Sequence, residues 1–134
     1  MKSGQKPAVM PRSEKGVFAV WCEDNPAGAA SIRESALDGH LAYIEKHFHR
    51  YLVAGPMRRG DQELICGSLL VVLAETEAEA RELIEGDPYV QCGLYQNIEY
   101  RRLTPAAGDW IGGVIWPSAD ALRNVATGKA KTTE

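Results

Sequence analysis

The segment from Asp38 to Met57 contains three histidines, and one of them has the setting that proton transfer requires. Wrapped on a helix at about 100° per residue, His40 lies on the border of an apolar stripe. That stripe is formed by Leu37, Leu41, Ile44, Phe48 and Tyr51. The pattern predicts that the helix buries the stripe, so that His40 contacts both the core and a cleft where an imidazole can exchange protons. His40 is therefore a candidate acid or base; the alternative is a border histidine whose hydrogen bonds are satisfied.

The other two histidines do not complete a metal site. His47 and His49 are two residues apart, and side chains at that spacing on a helix point to different faces, so they cannot easily converge with His40 on one ion. The chain also lacks the G-x-G-x-x-G, P-loop and G-x-S-x-G patterns. We therefore expect no metal and no nucleotide cofactor.

Length and composition limit the class of protein. The 134 residues, of which 45% are hydrophobic, suffice for one modest core, so one domain with terminal tails is expected. A net charge of −3 offers no basic surface for phosphate backbones, which argues against a nucleic-acid partner. The N-terminal segment lacks the apolar run of a secretory signal, and no stretch is long enough to span a bilayer. We expect a cytoplasmic protein whose three cysteines, Cys22, Cys66 and Cys92, are reduced and buried.

The alternation of strand and helix patterns predicts the fold class. The predicted strands are 17–22, 51–54, 65–74 and 94–103, and the predicted helices begin at Ser31 and Thr76. The order β-α-β-β-α-β is that of ferredoxin-like α+β domains, which have an antiparallel four-stranded sheet with two helices on one face. The other face of such a sheet needs a partner, and a second copy of the chain would supply one. We therefore expect a two-fold homodimer.

Local signals set the predicted ends of these elements. Gly55 and Pro56 should end the second strand, because proline cannot donate a hydrogen bond to a sheet ladder. Thr76 and Glu79 match a capping box at the start of the second helix, and Gly86 should end it.

The two ends of the chain are predicted to lie outside the domain of residues 16–104. Residues 1–15 have little to bury and should form a disordered arm, with Met10 an alternative start to Met1. The C-terminal extension, 105–134, begins with the apolar segment 106–116, which contains two tryptophans and should pack as a strand or clasp at the dimer edge. A short helix from Ser118 and a disordered tail should follow.

Three sequence patterns resemble those of the YCII-related family. They are GHLAYI (39–44) followed by LVAGPM (52–57), then GSLLVV (67–72), and then DPYVQCGLY (87–95). The resemblance extends from about Val17 to Leu103 and implies a ferredoxin-like dimer of the dimeric α+β barrel type. It also implies a pocket in which a histidine and an aspartate work as a pair, which by position are His40 and Asp87. The family includes a dehydrochlorinase acting on a chlorinated hydroxyquinol, and the wider superfamily includes muconolactone isomerase. The implied chemistry is proton transfer on small molecules.

A histidine–aspartate pair is chemically reasonable for this purpose. A carboxylate that accepts one ring N–H fixes the tautomer and leaves the second nitrogen to face a substrate. The structural alternative is that Asp87 only caps the turn made with Pro88.

Further residues could bind the substrate. Arg33 could hold a carboxylate or phenolate, although an arginine on a helix is often simply solvated. Ser68 could contribute a hydroxyl, or could be an ordinary strand residue beside a glycine that allows a close approach of backbones. Tyr89 could form a pocket wall, or could be a core or interface aromatic. One departure concerns the residues before His40: many family members have Arg-Pro-Ala there, whereas this chain has Leu-Asp-Gly at 37–39, which puts a neighbouring arginine's role in doubt.

The residues support two hypotheses from different classes. The first is a cofactor-free lyase or isomerase, of dehydrochlorinase-like chemistry, with His40 as acid or base, Asp87 orienting it, and Arg33 holding a small anionic or aromatic substrate. The alternative is a non-catalytic dimer that uses the same pocket to bind a metabolite or a partner protein, since fold alone does not decide function. The C-terminal extension could also recruit another protein.

Overall fold

A computed structural model of the protein describes residues 6–10, 16–114, 117–118 and 120. The described residues fall into two compact units, one within Lys15–Leu103 and the other within Met1–Glu14 and Thr104–Glu134. The first unit contains β1 (Val17–Asp24), α1 (Ala29–Ser35), α2 (Leu37–Lys46), a 3-10 turn (Phe48–Arg50), β2 (Tyr51–Arg58), β3 (Ile65–Leu73), α3 (Glu77–Glu85), α4 (Pro88–Gln91) and β4 (Tyr95–Leu103). The second contains β5 (Ala107–Gly108), a 3-10 turn (Asp109–Ile111) and β6 (Gly113–Val114).

The four long strands form one antiparallel sheet in the order β2-β3-β1-β4. Alternate residues of β1 and β3 face the helices, because successive side chains of a strand point to opposite faces. The buried residues of this kind are Phe18, Val20, Cys22, Leu70 and Val72. They form the main core with Ala74, just after β3, with Tyr100 of β4, and with Ala80, Leu83 and Ile84 of α3. The predicted βαββαβ, ferredoxin-like α+β fold is confirmed.

The structure has two helices where the sequence predicted one. Most of the apolar stripe that was predicted to be buried is exposed. The helix breaks at Ala36, and Leu37, Leu41 and Phe48 are exposed. The side of α2 that packs inward carries His40 and Tyr43 instead, and the Tyr43 hydroxyl donates a hydrogen bond to the Leu83 carbonyl at 2.7 Å. The inward side of α2 thus contacts α3 and α4 through hydrogen bonds, and only Ile44 and Tyr51 of the predicted stripe are partly buried.

The second strand continues past its predicted end. β2 extends through Gly55 and Pro56 to Arg58, with Pro56 opposite Ser68 of β3. β2 is an edge strand of the four-stranded sheet, so it pairs with a neighbour on one side only. A proline on an edge strand can point its nitrogen to the unpaired side, where the missing N–H breaks no hydrogen bond of the sheet.

The boundaries of α3 follow the predicted signals. The Thr76 side chain accepts a hydrogen bond from the Glu79 backbone at 3.1 Å, and Gly86 ends the helix. The Glu79 carboxylate accepts from the backbone N–H of Glu75, one residue before the position that a capping box uses. Pro88 follows the end of α3 and is also the first residue of α4, a short helix whose N-cap is Asp87.

The face of the sheet opposite the main core carries a large exposed aromatic ring. Trp21 of β1 is 55% exposed, and its cross-strand neighbours are Leu69 of β3 and Glu99 of β4. Next to this row, Ala19 pairs with Val71. An apolar strip thus extends across the two central strands on this face.

One expectation about exposure was wrong, that of a buried Cys92. Trp110 is 82% exposed in the single chain, and the packing of its segment at a dimer edge stays a prediction. Cys92 is also exposed, whereas Cys22 is buried and Cys66 is partly buried; all three are free thiols.

The terminal segments are described only in part. Within 1–15 the structure describes residues 6–10, where Val9 forms a parallel bridge with Val114. Trp116 and most of the helix predicted from Ser118 lie outside the described residues. No helix in the described part of the chain has the length and apolar character that a membrane span needs.

Replacing Gly67 by alanine should destabilise the sheet, because the added methyl group would collide with the backbone carbonyl oxygen of Cys22. Overpacking of this kind costs roughly 1–3 kcal/mol, and we expect urea unfolding to show a loss of about 2 kcal/mol. Gly55→Ala is the matched control, since nothing lies within 4 Å of a β-carbon built there. Equal unfolding midpoints for the two variants would contradict the close approach of β1 and β3.

Candidate functional site

The structure brings His40 and Asp87 into direct contact. Nδ1 of His40, on α2, lies 2.8 and 2.9 Å from the two carboxylate oxygens of Asp87, at the start of α4. The preceding residue explains how the two helices come this close: a β-carbon at Gly39 would lie only 3.3 Å from Cγ of Pro88. A methyl group at position 39 would require Pro88 to shift by a few tenths of an ångström.

Asp87 has two structural tasks at once. Its side chain is 3% exposed, and besides contacting His40 it accepts a hydrogen bond from the backbone N–H of Tyr89 at 2.9 Å. This second bond is the N-cap of α4. The two sequence interpretations of Asp87, a cap or a histidine partner, are therefore both correct as geometry. The cap fixes the carboxylate, and the fixed carboxylate orients the imidazole.

The Tyr89 ring supports the imidazole from one side. The two rings are stacked, with centroids 3.9 Å apart and planes inclined by 9°. Tyr89 is buried, and its hydroxyl donates to the Arg33 carbonyl at 3.3 Å. The His40 side chain remains 16% exposed, and its Nε2 has no hydrogen-bond partner among the described residues. The imidazole is thus held at Nδ1 and through its face, and Nε2 is the nitrogen left available.

Arg33 is not a solvated helix arginine. Its Nε and Nη2 donate to the two carboxylate oxygens of Asp24, both at 2.9 Å, and Nη2 also contacts the Gly67 carbonyl and the Ser68 hydroxyl. Both partners of this ion pair are mostly buried. Burial lowers the pKa of Arg33, but the hydrogen bonds to Asp24, the negative charge of Asp24 and smaller contributions from Tyr95 and Tyr89 together raise it above its usual value. The guanidinium is therefore charged, oriented and already neutralised by one carboxylate.

Ser68 connects Arg33 to a residue that the sequence did not single out. The Tyr95 hydroxyl donates to the Ser68 hydroxyl at 2.9 Å. Burial raises the pKa of Tyr95 well above its usual range, so this hydroxyl stays protonated at neutral pH. Ser68 is buried, and it follows Gly67, where the β1 and β3 backbones approach closely.

Asp24 and Tyr95 were missed, and a signal for Asp24 was present. Phe18, Val20 and Cys22 alternate along β1 toward the core, and the next position in that alternation is Asp24. A carboxylate at the inward end of a buried strand needs a cation or a donor. Tyr95 has no comparable signal, because a tyrosine at a strand start has many ordinary explanations.

The Cys22 side chain is fully buried in the main core. Burial, followed by the negative charges of Asp87 and Asp24, raises the pKa of Cys22 to about 12. The thiol therefore stays protonated at neutral pH, and the thiolate is the reactive form.

Two cavities adjoin parts of this network. One, of about 560 Å³, is lined by residues that include Asp24 and Arg33. The other, of about 860 Å³, is lined by residues that include Tyr43 and Leu83. His40 and Asp87 do not line either one. Within the described ranges, no three His, Cys, Asp or Glu side chains are grouped so that they could hold a metal ion.

Comparisons with known proteins agree on one family. A model of the YCII-related domain matches residues 17–104. A protein of Emericella nidulans, the derivative of benzaldehyde biosynthesis cluster protein C, is 31% identical over 85 residues, which cover 54% of this chain and 85% of the relative. A solved structure, 5-chloro-2-hydroxyhydroquinone dehydrochlorinase (TftG) from Burkholderia phenoliruptrix in complex with 2,5-dihydroxybenzoquinone, is 26% identical. It superposes with a TM-score of 0.60 over 69% of this chain and 96% of that chain.

Asp24→Asn should destabilise the protein markedly, because it keeps the shape of the side chain but leaves Arg33 as a mostly buried charge without a counter-ion. Breaking a buried ion pair at one partner costs on the order of 3–5 kcal/mol, and since the Arg33 side chain is 15% exposed we expect about 3 kcal/mol by urea unfolding. Glu77→Gln, in the exposed pair with Arg81, is the matched control and should change the unfolding free energy little. A similar small effect from both substitutions would show that the Arg33 charge is solvated.

Proposed function

The chain belongs to the YCII-related domain family, and from that premise we propose that it is a small-molecule enzyme in which His40 and Asp87 carry out a proton transfer. The observation that carries the proposal is the pairing of His40 Nδ1 with a buried carboxylate, which leaves Nε2 without a partner among the described residues. A histidine oriented by a carboxylate at one nitrogen is the arrangement that general acid–base catalysis uses.

The proposed reaction begins with His40 as base. Asp87 accepts the Nδ1–H, so the lone pair lies on Nε2, which removes a proton from a carbon next to an activated group of the substrate. The C–H electron pair then forms a double bond. In a lyase, the leaving group departs with the electron pair of its own bond, and the imidazolium then releases its proton to solvent. In an isomerase, the electron pair of an adjoining double bond shifts to a further atom, which takes the proton back from the imidazolium. The imidazolium formed in between is stabilised by Asp87, because a hydrogen bond to a charged donor is stronger than a neutral one.

Substrate binding is proposed to involve Arg33, Ser68 and Tyr89. Nη1 of Arg33 makes no hydrogen bond with the described residues and can donate to a substrate oxygen. Since Asp24 already neutralises this arginine, a phenolic or carbonyl oxygen suits the site better than a second full carboxylate. The similar dehydrochlorinase, which was solved with 2,5-dihydroxybenzoquinone, supports a small oxygenated ring as the substrate class.

A homodimer is part of this proposal. On the sheet face opposite the main core, Trp21 is exposed and Ala19 and Leu69 are partly buried, which leaves an apolar strip. A two-fold partner would cover that strip with the same strip of its own sheet, as a self-complementary interface requires.

One observation favours a non-catalytic binding module as the second candidate. Neither described cavity is lined by His40, so recognition of a ligand elsewhere in the network would not need proton transfer. Deuterium exchange separates the two candidates. An enzyme of the proposed type should catalyse the exchange of a substrate C–H with heavy water, and a binding module should not.

His40→Asn should abolish catalysis without unfolding the protein. We expect the turnover of 5-chloro-2-hydroxyhydroquinone, measured as the rate of chloride release, to fall by about 10²–10⁴-fold. This is the usual contribution of a general base. His49→Asn, at an exposed histidine, is the control and should keep full activity. Asp87→Asn should keep the cap of α4, because asparagine is an equally good N-cap, and should still lose activity. Full activity of His40→Asn on a substrate that the native protein turns over would exclude His40 as the base.

Trp21→Lys should dissociate the dimer, because it places a charge in the apolar strip. Sedimentation equilibrium of the native protein should give twice the monomer mass, and that of the variant the monomer mass. Phe48→Lys is the control, since Phe48 is an exposed aromatic on the 3-10 turn before β2 and not on the apolar strip. A native protein that sediments as a monomer, or a Trp21→Lys variant that remains dimeric, would contradict the interface.

A further inference from the structure

One cavity of the protein is separate from the groups proposed to transfer the proton. It has a volume of about 560 Å³, adjoins the end of β1 at Asp24 and the start of β3 at Ile65, and is lined by neither His40 nor Asp87. We call it the Arg33 cavity, after the buried cation in its wall. Small-molecule sites are typically clefts of roughly 300–1,000 Å³, so the space is large enough for a ligand.

The wall of the Arg33 cavity is largely apolar. Its apolar members come from the segment around the start of α1 and from the start of β3: Pro26, Ala29, Ala30, Leu64 and Ile65. Leu64 is 73% exposed, more than any other large apolar side chain described in the unit Lys15–Leu103. A ligand in the cavity would shield this side chain from water, and the burial of apolar surface favours binding.

Arg33 is the group of this wall that can orient a ligand. Its Nε and Nη2 donate to the carboxylate of Asp24, and Nη2 also contacts Gly67 and Ser68. Nη1 makes no hydrogen bond with the described residues. Because the guanidinium is already held in place, it loses little conformational freedom when Nη1 donates to a ligand.

The charges around the Arg33 cavity favour an uncharged ligand. Asp24 neutralises Arg33, and the other charged side chains of the wall are Glu23, Glu63 and Arg59. Three carboxylates and two guanidinium groups therefore line the space. An anion placed there would lose water without finding an unpaired positive charge, which is unfavourable.

We propose that the Arg33 cavity binds a small, uncharged and mostly apolar molecule whose carbonyl oxygen accepts a hydrogen bond from Nη1 of Arg33. The apolar wall contacts the body of the molecule, and the single donor fixes its orientation. This inference goes beyond the proposed function, because it assigns a ligand to a cavity that the His40–Asp87 pair does not line. It shares Arg33 with the proposed substrate site, but it does not require His40 to move a proton.

Two thiols of the protein provide the test. Cys66 is free, partly buried and part of the cavity wall, whereas Cys92, at the end of α4, is free, exposed and outside that wall. A ligand in the cavity should therefore protect Cys66 and not Cys92 from alkylation by iodoacetamide, measured by mass spectrometry of the digested protein. The probe is benzamide, which is uncharged, and its control is benzoate, which has the same shape and a negative charge.

Benzamide at about 10 mM should slow the alkylation of Cys66 by about 3–10-fold, because a ligand of so few atoms binds in the millimolar range. The alkylation of Cys92 should not change. Benzoate at the same concentration should leave the rate for Cys66 within about twofold of the rate without ligand, since the cavity offers no unpaired positive charge.

Three variants locate the bound probe. Ala30→Trp should fill part of the cavity and abolish the protection by benzamide, and Ser31→Trp, one residue further along α1, should keep it, since Ser31 does not line the cavity. Both positions are exposed, so neither variant should unfold. His40→Asn should also keep the protection, because His40 does not line the cavity.

Each other outcome overturns the inference in a definite way. Benzamide that leaves the alkylation of Cys66 unchanged, or slows both thiols alike, shows that the cavity binds no such ligand. Protection that survives Ala30→Trp shows that the ligand lies elsewhere, and equal protection by benzoate refutes an uncharged ligand. Protection that is lost in His40→Asn places the probe at the His40–Asp87 pair, which supports the proposed function and not this inference. Protection of Cys66 in a protein that catalyses no proton transfer would leave this inference standing while the proposed function fails.

Discussion

The hydrogen bond between Nδ1 of His40 and the carboxylate of Asp87 is the contact on which the site depends. It joins α2 to the start of α4, and it exists only because neighbouring residues allow it. Gly39 lets the two helices approach, and the cap of α4 holds the carboxylate still. The stack with Tyr89 then limits rotation of the ring. One short stretch of backbone, 87–89, therefore supplies the partner, the cap and the supporting ring.

The ion pair of Arg33 and Asp24 imposes a second constraint. A mostly buried guanidinium is tolerated because Asp24 binds it through two hydrogen bonds, with Gly67 and Ser68 as additional acceptors. That arrangement positions Arg33 well but neutralises its charge. The charges of Arg33 and Asp24 cancel, and the carboxylate of Asp87 faces His40. The site therefore offers little positive charge to balance a negatively charged ligand.

Local sequence patterns predicted the order of elements and the cap of α3 well, because they depend on neighbouring residues only. The pairing of His40 with Asp87 came from the family resemblance. The orientation of α2 could not be predicted, because an apolar stripe identifies a face of a helix but not the surface that the face meets. In the structure, His40 and Tyr43 make hydrogen bonds on the inward side of α2, and Leu37 and Leu41 are exposed. The continuation of β2 through Pro56 depended on its edge position, which only the assembled sheet defines.

The location of the site follows from a change of polarity along the helix-facing side of the sheet. At one end, Phe18 of β1 pairs with Val72 of β3, and the next inward pair is Val20 with Leu70. The pair after that is Cys22 with Ser68, and β1 then ends at Asp24. The apolar end supplies the burial that holds helices and sheet together, and the polar end would be unstable if its groups were unpaired. Arg33, Ser68 and Tyr95 satisfy one another there, so a protein of this size can keep charged groups beside its core without losing the fold.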